Sequence, residues 1–566
     1  MRPVRLLSLL LVLGVFAAPP AVAQGVSGDT PLRPATRVFS LTNARVVVEP
    51  GRVLDRATVL VRDGRIEAVG TRIEVPFDAE IIEADSFTVY AGFIDALSVA
   101  GIAEPESPDR YEGDPGDAPR ERAGITPDRD VRALFNPSDA RVKALRDAGF
   151  TLAHVVPRDG LWSGQGALLS LRTAGRYESL GSLVVRGPIS TVARIDGASG
   201  VYPATPMGVL AVMRQSIENA RRRQARGADR EAFDPVLDAL DPLIRGDRRF
   251  VFVVGGWLDG FRALRASSEM GLRPILAGVP DVAPLLDRLR DRDTPVVASL
   301  ALPDTVKADS MALAVRPPPS ATPGGVSFVS DRRTVSYRDL DAERSTQTGI
   351  RRVSVQRAEA SPSVLAAARV PFAFGTFDVK PADIRNNLRR MIAAGLSPDD
   401  ALAALTTAPA AMLGVEALVG TVEPGRLANL VVTTGDYFAD STQIRMVIVD
   451  GVRFEIDASA KPSSGPAIAA GTWTFSVETP GETRTGSFTL TGEPGSLSGT
   501  LTEGGATRPL TGVVLDGATL TFTYTNPEVG DVLVAGTLSG DEFEGTATVA
   551  SFGSFPFTAT RQPEAR

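Results

Sequence analysis

Three textures follow one another along this 566-residue chain, and together they predict an α/β protein with an all-β end. Residues 37–90 read as short strands with tight turns. Residues 91–415 alternate apolar, β-branched runs with helical stretches. From about 468 onward, Gly, Thr and Ser recur at even spacing between short alternating strands. Repeated strand–helix units with apolar strands imply a parallel sheet covered on both faces, here a (β/α)8-type barrel. The last texture implies an antiparallel barrel or sandwich.

Each element has a local reason. Ala44–Glu49, Thr58–Arg62 and Arg65–Val69 are β-rich, and Asp63-Gly64 between the last two is a hairpin turn signal. Phe250–Val254, Pro274–Ala277, Pro295–Ala298 and Pro371–Phe374 have the composition of buried strands. Pro137–Ala148, Met207–Arg226 and Pro381–Ala394 read as helices. Two polar, Pro- and Gly-rich insertions, about 103–130 and about 305–350, are expected to be surface loops. Strand-and-turn texture returns at 420–457. Lys461–Pro466 has the composition of a linker. In the C-terminal segment, Thr472–Val477, Thr485–Thr491, Leu497–Leu501, Thr519–Tyr524, Val532–Leu538, Phe543–Val549 and Phe555–Arg561 are the expected strands. Gly471-Thr-Trp473 weakly resembles a lipocalin-type opening, and Arg561 is placed to stack on Trp473 and close the barrel.

Composition removes whole classes of function. A charged share of 22%, a net charge of −7 and scattered Arg argue against nucleic acid or an anionic membrane as the main partner. With no Cys there is no disulfide, thiolate ligand or thiol nucleophile, and one His excludes a His-rich metal site. Arg2 and Arg5, the apolar run Leu6–Ala18 and Ala21-Val-Ala23 form a secretory signal pattern with cleavage expected after Ala23. That run is shorter than the ~20 residues a membrane span needs. The mature chain is therefore expected to be exported, periplasmic or secreted, with no membrane span after signal removal.

An opening set of motifs lies in Thr42–Val46, Val59–Gly70 and Ala91-Gly-Phe-Ile-Asp95. A closing set lies in Ala393–Leu402, Leu405–Ala410, Gly420–Arg426, Ala428–Val432 and Val447–Gly451, with Ser163-Gly-Gln-Gly166 and Tyr202–Gly208 in between. Together they resemble the motifs of imidazolonepropionase-like members of the amidohydrolase superfamily. The resemblance implies a barrel at 91–415 flanked by a composite β-sandwich from 37–90 and 416–457. A signal peptide (1–23), a linker (458–467) and a C-terminal β domain (468–566) complete the expected organisation.

The resemblance also implies a metal centre that this chain cannot build. The family's His-x-His pair would fall at Leu97 and Val99, a later His at or beside Val254, and the late Asp at Phe377 in Gly375-Thr-Phe-Asp378. None of these side chains donates a lone pair. No Lys lies in 185–250, where a carbamylated bridge would be expected. The chain also lacks a Gly-x-Ser-x-Gly nucleophile elbow, a Gly-rich phosphate loop and a Ser-His-Asp order, and no cofactor is expected.

His154, in the apolar run Phe150–Val156, reads either as a satisfied core histidine or as a general base in a rebuilt site with Asp95 and Asp378. Ser98 and Gln165 would line the same mouth, with Ser163–Gly166 expected as a turn. The leading expectation is a non-catalytic binding or assembly homologue, possible partners being an active paralogue, a second copy or an unidentified small molecule. The alternatives are a metal-independent hydrolase of non-peptide C–N bonds and a ligand-binding module centred on the C-terminal β domain.

Overall fold

The computed structural model describes residues 38–105, 110–173, 178–226, 233–303, 337–377, 379–456, 470–479, 482–492, 497–516, 519–527, 529–539, 542–549 and 553–562. The signal segment, the linker and Asp378 lie outside the described residues. Two compact units emerge. One runs through Arg146, then Phe150–Leu430 and Ile448–Val452; the other comprises Asp147–Gly149, Val431–Val447 and the chain from Arg453.

The first unit opens with antiparallel strands β1 (Val38–Glu49), β2 (Arg52–Arg62) and β3 (Arg65–Gly70). Asp63 and Gly64 both have positive φ, as a tight hairpin of this sequence requires. β4 (Glu80–Glu83) and β5 (Thr88–Ala91) pair parallel with β1. Later residues return to this layer: Ile66 N–H donates to Arg426 O, and Ala428 N–H to Gly64 O.

An eight-stranded sheet follows, its strands paired in chain order: β6 (Phe93–Ser98), β7 (Phe150–Val155), β8 (Trp162–Ser170), β9 (Val184–Arg194), β10 (Arg249–Val253), β11 (Pro274–Ala277), β12 (Val296–Ser299) and β13 (Phe372–Gly375). It closes on itself where Thr376 N–H, just past β13, donates to Leu97 O on β6 at 3.0 Å. Alternate residues Val251 and Val253, Ile275 and Ala277 turn into one apolar cluster with Val192, Val297 and Ala373. This inward stack fills the barrel rather than leaving a pore. Helices cover the outside, among them Ala140–Asp147, Pro206–Ala225, Trp257–Glu269 and Ile384–Ala393. Thr205 caps the second through Gly208 N–H, with Pro206 at its first position.

Three expectations are corrected here. β8 runs antiparallel to both neighbours, so the barrel is not a uniform (β/α)8. Ser163–Gly166 is strand within β8, not a turn. The second insertion is not all loop, because a helix spans Tyr337–Ala367. The first insertion packs partly inward: Ala123 and Thr126 are buried, and isolated bridges join Ile125 to Trp162 and Asp130 to Gln165.

Strands β14 (Leu430–Thr433), β15 (Ile444–Val449) and β16 (Val452–Glu455) follow, the last two joined at Asp450-Gly451 with positive φ at both residues. The chain ends in nine antiparallel strands: β17 (Gly471–Thr479), β18 (Glu482–Thr491), β19 (Ser498–Glu503), β20 (Ala506–Pro509), β21 (Thr511–Asp516), β22 (Thr519–Asn526), β23 (Gly530–Ser539), β24 (Glu542–Val549) and β25 (Gly553–Arg561). Asn526 on β22 donates to Glu503 on β19 at 3.2 Å, so the sheet curls toward closure. As expected, Trp473 is fully buried and the Arg561 guanidinium lies 4.8 Å from its ring centroid. Among the described residues, no helix is long and apolar enough to cross a membrane.

Candidate functional site at the carboxyl end of the barrel

Barrel active sites form where strands end, so the ends of β6, β10, β11 and β13 decide what this protein can do. Leu97 and Val99 turn into the same apolar cluster as Val253, Ala277 and Val297, and Phe377 packs against it. Val254 is buried beside them, its N–H bonded to Ala277 O at 2.9 Å. Gly278 is Gly because a Cβ there would lie 2.5 Å from Val254 O and 3.2 Å from the Phe377 ring. These residues do not fit a divalent ion, which needs nitrogen or oxygen donors converging on one point.

Asp95 is wholly buried and serves the barrel seam. Its Oδ1 accepts from Leu97 N–H at 3.1 Å and Thr376 N–H at 3.0 Å, and the Thr376 hydroxyl donates to Oδ2. Ser98 Oγ lies 3.4 Å from that hydroxyl. Burial outweighs these bonds and raises the carboxyl to about 7. His154 projects from β7, its Nδ1 2.9 Å from Ala96 O and its Nε2 2.7 Å from Ser190 Oγ. The bond to a carbonyl makes Nδ1 the protonated nitrogen, leaving Nε2 to accept from Ser190. Burial lowers the imidazole to about 4, so it is neutral near pH 7.

The candidate residues therefore fall into separate groups. Asp95 and Ser98 meet at Thr376. His154 meets Ser190. Gln165 is held elsewhere, its Nε2 donating to Pro127 O at 3.2 Å and its N–H to Arg129 O. Among the described residues, the bonding partners of His154 and those of Asp95 are distinct, and no group of three or more His, Asp or Glu side chains could hold a metal ion. Ser190 is not singled out by the sequence, and Thr376 and Gly166 lie in motifs read for other reasons, because the roles of all three depend on strands distant in the chain.

Gly166 makes the His154 pair possible. A Cβ there would lie 2.5 Å from Ser190 Oγ, 2.6 Å from His154 Nε2 and 2.9 Å from Val156 Cγ1. Gly166→Ala is expected to destabilise by roughly 1–3 kcal/mol, the range for overpacking a filled core. A urea midpoint unchanged by this substitution would mean that β8 shifts freely.

One open space lies at the rim. A cavity of about 690 Å³ sits where the chain leaves β10 at Gly256-Trp257 and β11 at Pro280-Asp281, with Ile350, Val353 and Arg357 of the long helix as its other wall. Trp257, Ile350 and Val353 are 48%, 64% and 44% exposed, and Arg357 pairs with Asp281 at 3.5 Å. The arrangement offers an apolar wall beside a charge pair, which can bind a molecule but supplies no activated nucleophile.

Comparison with known proteins gives this geometry its context. Residues 339–453 match the amidohydrolase family. The fold is similar to that of an amidohydrolase from Thermotoga maritima MSB8 (TM-score 0.56, 21% identity, 74% of this chain and 100% of that one). A weaker likeness is to a putative prolidase from Bifidobacterium longum (TM-score 0.44, 16% identity, 74% of this chain and 94% of that one). No curated protein sequence matches.

Proposed function

We propose that this chain, built on an amidohydrolase fold and related in its motifs to the imidazolonepropionase-like branch, is an exported, metal-free homologue that acts by binding or assembly rather than catalysis. The observation that carries this is the apolar packing of Leu97, Val99 and Phe377 at the strand ends where the resemblance puts metal ligands. A family that activates water on a metal needs donors there, and burying a charged ion among these side chains would cost far more than it returned. The rim cavity beside Trp257 is the candidate docking point for a small molecule. An active paralogue or a second copy is the candidate macromolecular partner, and the pattern ending at Ala23 is the export signal.

The alternative is C–N bond hydrolysis by a rebuilt, metal-independent site. It would require His154 to reach substrate, and both ring nitrogens are engaged in the barrel interior.

Purified protein is expected to contain far less than one Zn, Mn, Fe or Ni per chain by plasma mass spectrometry. Added Zn should leave the melting temperature unchanged, because a ligand stabilises only by binding the native state. About one tightly held transition metal per chain would overturn the proposal.

A further inference from the structure

The amino ends of the barrel strands carry a patch of positive charge that the chain does not balance. Arg249 opens β10, Arg186 lies near the start of β9, and these two strands run parallel. Beside them the helix Thr407–Leu413 ends at Gly414, whose φ of 70° is a left-handed cap that favours glycine. A Cβ built on Gly414 would lie 3.5 Å from Arg186 Nη1 and 3.6 Å from Arg249 Nη2. Two guanidinium groups therefore meet over one backbone position. A cavity of about 360 Å³ opens there, lined also by Pro188, Asp247, Arg248 and Leu413. Trp257 and the rim cavity lie at the other end of β10.

The carboxylates nearby are already engaged. Asp247 accepts from Arg245 Nε at 2.8 Å, and Asp130 accepts from Arg132 Nε at 3.0 Å. Arg186 donates through Nη1 to Gly414 O, which leaves its remaining N–H groups. Among the described residues, the Arg249 side chain has no hydrogen-bond or ion-pair partner, and Arg248 Nη1 is buried without an acceptor. Burial holds the Arg248 guanidinium below its ordinary value, and Arg132 and Arg245 push it the same way against Asp130 and Asp247. Like charges gathered in this way repel and cost stability. In a chain whose net charge is −7, such a cluster is a local exception. An anion from outside the chain is the group that would complete it.

The donors come from two strands and from the turn before one of them. That spread suits a tetrahedral oxyanion with two charges better than a single planar carboxylate. The cavity falls in the size range of small-molecule sites, about 300–1,000 Å³, so an organic body fits beside Pro188 and Leu413. We propose that this cavity binds a phosphate dianion, free or as the monoester of a small organic molecule, held by Arg186 and Arg249 with Arg248 as a third positive charge. The site is separate from the rim cavity and does not depend on what that cavity binds.

The test titrates the full chain by calorimetry with inorganic phosphate and glycerol 3-phosphate, with acetate and glycerol as controls. A pH above about 6 keeps the phosphate groups doubly charged, and about 0.1 M salt screens diffuse attraction. At least one phosphate is expected to bind saturably in the micromolar to low-millimolar range, at least tenfold more tightly than acetate, and glycerol not at all. The tighter of the two phosphates identifies the source. Arg249 is exposed, so Arg249→Gln should fold normally, weaken the phosphate at least tenfold and remove its stabilising effect on the melting temperature. Arg273→Gln, in the adjoining cavity, should change affinity less than twofold. No saturable binding by either phosphate overturns the proposal. So do acetate binding as tightly as phosphate, phosphate binding that survives Arg249→Gln, or equal weakening by Arg273→Gln, which would place the anion elsewhere on this face.

Discussion

Asp95→Asn is expected to make stability rise more steeply with pH between about 4 and 7, and His154→Gln is expected to make it fall. The folded state holds the Asp95 carboxyl at about 7 against an ordinary 3.8. Between those values the folded chain binds more protons than the unfolded one. Asp95 therefore stabilises most fully below about pH 4, and its contribution is lost as pH rises toward 7. His154 has the opposite sign, since its imidazole is lowered to about 4 from 6.5. In that window the unfolded chain binds the extra proton, so stability is lost as pH falls through it. The two displacements correspond to effects on the order of 4 and 3 kcal/mol. In the native sequence the two contributions oppose each other within that window. The amide introduced by Asp95→Asn keeps an acceptor for the Leu97 and Thr376 N–H groups. The amide introduced by His154→Gln keeps one for Ser190, so each variant removes a titration rather than a packing element. Urea midpoints at half-unit pH steps, expressed as variant minus native, cancel all other titrating groups. Difference profiles parallel to the pH axis for both variants would mean that neither group is shifted as its burial implies.

Local chemistry is legible where a segment's own residues decide its conformation. Asp63-Gly64 makes a hairpin by backbone preference, and the apolar run at 250–253 has no stable place except a doubly covered strand. Thr205-Pro206 starts a helix for equally local reasons. What stays hidden depends on partners far along the chain. Ser163-Gly-Gln-Gly166 carries two glycines and reads as a turn, yet Gly166 answers to the ring of His154 across the strand pair. β20 is Ala506-Thr-Arg-Pro509, with no apolar alternation to announce it, and β21, which pairs with β22, is likewise absent from the expected strands. At the candidate site, the apolar character of Leu97, Val99 and Phe377 can be read directly, whereas their convergence in one cluster requires closure of the barrel. The rim cavity beside Trp257 cannot be foreseen, because half of its wall comes from a helix expected to be part of a loop.

Trp473→Ala is expected to cost roughly 3–5 kcal/mol, the range for deleting a large aromatic from a packed core. The ring has no solvent exposure, lies parallel to Phe488 within 5° and sits under the Arg561 guanidinium. Trp473 and Arg561 are also cross-strand partners in the β17–β25 pair, which joins the first and last strands of the domain. Loss of the indole therefore opens a cavity and removes the surface that holds this seam. Arg561→Ala should cost less, about 0.5–2 kcal/mol, because it forfeits the cation–π contact but leaves the aromatic stack in place. Amide hydrogen exchange by mass spectrometry on the full chain reads both effects locally. For Trp473→Ala, β17 and β25 peptides should lose protection by about 10²–10⁴-fold, the exchange equivalent of that free energy. Barrel peptides from β9 to β13 should be unchanged. Equal loss of protection in both regions would mean that the Trp473 core and the amidohydrolase-like barrel unfold as one cooperative body. Unchanged β17 and β25 peptides would mean that the packed end does not depend on Trp473.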